Sequence, residues 1–212
     1  MKKQHAYDLF ILILIIIILF FIEIPYLNTL LGFLIIIAYS YKSQGLKSSL
    51  GFSSQKNTIK LLVTAVCLAI GIVLINYFVL LSPIERLTGQ KLQLGIFSQL
   101  TGNLNLYISS IIIGWLVGGF FEEVIFRGFM ISILMNILGK KIGVLIGIIF
   151  SSFIFGYLHN YQGINGQILT GLVGAILATT YVFSKKNLWL NILTHGLLNT
   201  ISLTLLYFGT IN

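Results

Sequence analysis

The chain has 212 residues, of which 57% are hydrophobic and only 8% charged, with a mean hydropathy of +1.00. This balance excludes an ordinary soluble domain and predicts an all-α, polytopic transmembrane helical bundle, one membrane-embedded domain over residues 1–212. The net charge of +8 does not point to nucleic acid, because the lysines cluster between apolar runs.

A span needs about 20 residues, so the chain accommodates about seven. Lys2 and Lys3 followed by an apolar run have the outline of a secretory signal. Phe20, Phe21, Ile22, Glu23, Ile24 and Pro25 stand where a small-residue cleavage site belongs, so 9–24 is read as a retained first span. The second span is placed at 26–41. A polar connector over 43–60 leads to the third at 61–81, and 82–105 is read as an external loop with amphipathic helix near 84–97. The remaining spans are placed at 107–127, 142–157, 168–183 and 188–208, with 128–139 an apolar extension ending at Gly139, Lys140 and Lys141.

Lys2 and Lys3, then Lys42, Lys47, Lys56 and Lys60, then Lys140 and Lys141, then Lys185 and Lys186 occupy alternate connectors. Only Arg86 and Lys91 occupy the others. That bias predicts a multi-pass protein of the cell membrane with a cytoplasmic amino terminus, in contact with anionic headgroups. The lone Cys67 has no partner for an internal disulfide and reads as a small hydrophobe. No internal repeat is visible. Pro25 and Pro83 read as connector residues, which weighs against a transporter built on broken helices.

Chemistry rests on a few side chains. Only five residues are acidic, and Glu122 and Glu123 sit side by side in an apolar stretch where carboxylates are costly. At about 100° per residue the two point in different directions. Arg127 lies four residues after Glu123, on the same face, and offers it a counter-ion. Glu122 is left free to act as a general base on water. His159 shares a helix face with Phe155, and His195 shares one with Asn199, whose amide suits a developing oxyanion. Glu122, His159 and His195 also form a plausible zinc set with an open position. Singly, each of these residues is as readily a structural hydrogen-bonding group between helices.

Together the motifs are recognisable. Glu122-Glu123-Val124-Ile125-Phe126-Arg127, then Phe155 to His159, then His195 to Asn199, resemble the EExxxR, FxxxH and HxxxN pattern of the CPBP family. This family comprises CAAX prenyl endopeptidases and bacteriocin-processing or immunity proteins, also called Abi proteins. The resemblance covers about 104–206, the motif-bearing half. It implies an intramembrane endopeptidase in which Glu122 activates water with help from His159, His195 and Asn199 hold the oxyanion, and Glu123 and Arg127 brace the site. Zinc is usual for the family, and a metal-free Glu/His mechanism suits the same residues. The implied substrate is a peptide or membrane protein, cleaved near the cytoplasmic interface, in bacteriocin immunity or peptide-signal processing. The competing readings are a non-catalytic immunity or partner protein and, less favoured, a proton-coupled transporter.

Simple counting sets one conflict. At about 1.5 Å per residue, His195 lies about 10 Å in from Lys186, and Glu122 is as shallow if Arg127 marks the same interface. His159, 18 residues past Lys141, falls near the opposite side. Convergence of the three motifs requires that one of these depths be wrong.

Overall fold

The computed structural model describes residues 2–43, 50–52 and 57–210. Lys47, Lys56 and most of the 43–60 connector lie outside the described residues. Those described are mostly helical, with no strand among them. Seven helices follow in order: α1 (Lys2–Phe21), α2 (Leu27–Ser43), α3 (Thr58–Thr88), α4 (Leu104–Leu138), α5 (Lys140–Tyr157), α6 (Gly163–Phe183) and α7 (Leu188–Tyr207). Five of them, α1 and α3 to α6, are long and apolar enough to cross a membrane. With 17 residues α2 is shorter, and α7 interleaves Asn191, Thr194, His195, Asn199 and Thr200 among its apolar residues.

Helix starts are set locally. Asn57, Asn103 and Asn187 precede α3, α4 and α7, and each side chain accepts the backbone N–H three residues on. This satisfies donors that the first helical turn leaves unpaired.

Two helices exceed their expected lengths. α3 runs for 31 residues and contains Pro83, so Pro83 is not in a connector and that argument against a transporter falls away. The turn before it, Ile75–Leu80, is wound with i→i+5 bonds; a proline lacks an N–H and clashes with the carbonyl four residues back, here Val79 within that wider turn. α3 ends at Gly89, whose φ of 67° few other residues adopt readily. One continuous amphipathic helix over 84–97 is therefore not formed; a short 3-10 turn, Gly95–Leu100, follows instead.

α4 does not stop at Arg127. It runs for 35 residues to Leu138 and reverses at Gly139 into α5. Gly143 lies so near that turn that a Cβ there would stand 2.4 Å from Met135 Cα. The hairpin removes the depth conflict: Arg127 sits in mid-helix, and α5 returns antiparallel to bring His159 level with Glu122. The α6–α7 turn meets α4 higher up, where Lys186 Nζ donates to Ser132 Oγ at 3.4 Å. The tip of the α4–α5 hairpin thus projects about 10 Å beyond that turn.

The middle of α4 is the core of the molecule, since every residue of Val124–Ile131 is buried. Around it pack α1, α2, α5, α6 and α7. α1 is tied to α2 by the buried Asp8, which accepts from Tyr39 Oη at 2.5 Å and Gln4 Nε2 at 2.7 Å. At the other end of α1, Phe20 stacks on Tyr157 with ring centroids 5.3 Å apart. The α1–α2 turn and the end of α5 therefore lie together, remote from the α4–α5 hairpin.

Candidate active site

Glycines allow α4 and α7 to touch along one seam. A Cβ on Gly196 would lie 2.4 Å from the Trp115 ring, and one on Gly119 would lie 3.2 Å from Gly196 Cα. Trp115 Nε1 donates to Thr200 Oγ1 at 3.0 Å and fastens the crossing. Small residues at a helix interface allow such backbone approach. The result is that His195 and Asn199 of α7 are pressed against the part of α4 that carries the two glutamates.

That part of α4 is wound with i→i+5 bonds over Gly114–Glu122 and again over Val124–Ile131, a local widening common at functional sites. The two carboxylates do not serve separate surroundings as ordinary helical geometry predicts. Both address the His195 ring, from opposite nitrogens. Its Nδ1–H donates to Glu123 Oε1 at 2.8 Å, and its Nε2 stands 3.9 Å from Glu122 Oε2.

Beneath the ring lies a buried polar network, in which Arg127 Nε and Asn191 Oδ1 are left without a partner. Glu123 Oε1 also accepts from Arg127 Nη1 at 2.7 Å, as the four-residue spacing predicts, and Oε2 accepts from Asn191 Nδ2 at 3.2 Å. Arg127 Nη2 donates to the Gly174 carbonyl at 3.2 Å, and the guanidinium lies 4.5 Å over the Phe155 ring. Glu123 and Arg127 are 0% and 1% exposed. Two charges buried this completely hold only because each is paired and hydrogen-bonded. Asn191 is a site residue that the motif reading missed. It lies one helical turn before His195, on the face that this spacing shares, and that spacing is the signal that marks it.

Phe155 does more than pack. Its ring contacts Arg127, His159 and His195, with centroids 4.8 and 5.8 Å from the two imidazoles. Its carbonyl accepts from His159 Nδ1 at 2.7 Å, so Nε2 of that ring is left with the lone pair. Burial lowers the pKa of His159, with Glu122 pulling the other way.

Glu122, His159, His195 and Asn199 line one cavity of about 1000 Å³. Glu123 and Arg127 do not. The cavity rises from Glu122 between α3, α4 and α7 to the α1–α2 turn, the 92–97 stretch and the 158–162 turn. It opens away from the α6–α7 turn and the α4–α5 hairpin, not beside them. Asn199 is partly committed, because Nδ2 donates to the Gly114 carbonyl at 2.8 Å. Its amide keeps one N–H for a ligand.

The expected metal set is less well gathered. Among the described residues no group of three or more His, Cys, Asp or Glu side chains is drawn together closely enough to hold a metal. His159 and His195 do each present Nε2 with Nδ1 held by an acceptor, as metal-ligating imidazoles commonly do. As arranged, Glu122, His159 and His195 face a shared space without closing on a common point, and they do not fit a resident ion.

The chain matches none of the curated proteins and none of the solved structures. A family does match, over the same stretch that builds the cavity floor: the model described as Type II CAAX prenyl endopeptidase Rce1-like covers residues 104–201. All three motifs, and the Gly114, Gly118 and Gly196 that let them meet, fall inside it. Residues 104–201 of this chain are therefore similar to the Rce1-like type II CAAX prenyl endopeptidases of the CPBP family.

Proposed function

We propose that the protein is an intramembrane endopeptidase that hydrolyses a peptide bond in the α4–α7 cavity. The observation that carries this reading is the His195 imidazole between two acids, Nδ1 fixed by Glu123 at 2.8 Å and Nε2 facing Glu122 at 3.9 Å across the cavity. Glu122 takes a proton from a water molecule, and the oxygen attacks the peptide carbonyl. The oxyanion that forms is met by the free Asn199 N–H and by His195 when Nε2 carries a proton. His159 Nε2 accepts that proton from Glu122 and passes it to the departing amine, which returns Glu122 to its carboxylate form. Glu123, Arg127 and Asn191 touch none of the reacting atoms; they hold the imidazole in one tautomer and orientation.

No step here is routed through a metal. The substrate class is a peptide or a membrane protein with an extended segment, in the setting of peptide-signal processing or bacteriocin immunity. Glu122→Gln keeps shape and removes the base. Cleavage by purified protein is expected to fall at least about 100-fold, the scale of one acid–base group, with unchanged accumulation in membranes. Retained cleavage in that variant would overturn the mechanism.

A further inference from the structure

Every segment that lines the cavity belongs to one half of the molecule: the end of α1 and its turn into α2, the second half of α3, the first part of α4, the end of α5, the start of α6 and the second half of α7. Below Glu122 the way is shut. Phe126, Leu177 and Tyr181 are buried there, and Gly51 packs so tightly that a Cβ on it would stand 2.2 Å from the Lys186 carbonyl.

Charge distinguishes the two ends. Among the described residues Lys3, Lys42, Lys60, Lys140, Lys141, Lys185 and Lys186 lie at or toward the shut end. At the open end are Arg86 and Lys91, and Lys91 is paired with Glu85 at 2.8 Å. Lysine and arginine in short connectors mark the cytoplasmic face. The charged residues that line the cavity are Glu23, exposed at its mouth, and Glu122 within it, with His159 and His195 beside Glu122. No Lys or Arg lines it among the described residues, and the Glu23 carboxylate has no hydrogen-bond or ion-pair partner among them. An acidic side chain or a terminal carboxylate entering here meets like charge and no cation, and the repulsion grows as water is displaced.

We infer that the cavity takes its substrate from the extracytoplasmic face, and that the substrate is a neutral or basic peptide segment recognised at the mouth by Glu23. The charge preference rests on the peptidase reading; the sidedness does not. Cys67 is the only cysteine, so Cys67→Ala gives a clean background for single cysteines at Asn160, beside the mouth, and Lys141, at the hairpin. A membrane-impermeant maleimide on intact cells is expected to label the Asn160→Cys protein, and to label the Lys141→Cys protein only after permeabilisation. The reverse pattern, or equal labelling of both from outside, overturns the sidedness.

Purified protein offered otherwise identical peptides is expected to favour Lys over Glu beside the cleaved bond. Glu23→Gln should reduce that preference roughly two- to fivefold, the range of an exposed ion pair, through KM with kcat retained. Equal use of both peptides by the unaltered protein overturns the charge preference. If that protein cleaves no peptide at all, the peptidase reading fails while the labelling result stands.

Discussion

Glu123 and Arg127 lie in the part of the site where a single atom matters most. The carboxylate accepts from Arg127, His195 and Asn191 at once, and neither Glu123 nor Arg127 reaches water. Glu123→Gln leaves a buried guanidinium without its counter-ion, a change that costs about 3–5 kcal/mol where such pairs have been broken. Thermal unfolding in detergent is expected to show that loss for Glu123→Gln and almost none for Glu122→Gln, because Glu122 faces the cavity. The Glu123–Arg127 pair was legible in the sequence, since four residues on one helix bring the two groups together whatever else surrounds them. The shared hold of both glutamates on one imidazole was not, because it depends on the wider winding of Gly114–Glu122. Metal dependence is decided among side chains as well. Dialysis against a strong chelator is expected to leave peptide cleavage within about twofold; a loss restored by zinc would show that Glu122, His159 and His195 close on an ion when one is supplied.

Among the helices, the decisive contact is the α4–α7 crossing, and glycine sets its distance. A methyl on Gly196 meets the Trp115 ring at 2.4 Å, so Gly196→Ala forces the helices apart and draws His195 from Glu122. The expected result is a stability loss of about 1–3 kcal/mol, typical of overpacking, with kcat reduced tenfold or more, a fall larger than the stability loss explains. Activity assays at a temperature where the variant stays folded separate the two effects. The helix ends in this region follow from their own residues, with asparagine caps before α3, α4 and α7 and a turn at Gly139. The length of α4 does not. The run 128–139 is apolar whether it forms a separate interfacial segment or continues the helix; packing against α1, α2 and α5 makes it continue.

For the molecule as a whole, the sequence determined the class and the cast. Sparse charge and long apolar runs leave only a helical bundle in lipid. The few ionisable groups within those runs, Glu122, Glu123, Arg127, His159 and His195, are the ones that gather. Those features are local: they depend on composition and on spacing along one helix. Which end of the bundle the cavity opens toward, and how His159 reaches the depth of Glu122, were decided only by tertiary structure. Depth counted from a lysine assumes that every helix starts from one plane, and here the α4–α5 hairpin reaches about 10 Å past the α6–α7 turn. Such an offset comes from contacts between helices distant in the chain, and no periodicity within a single span records it.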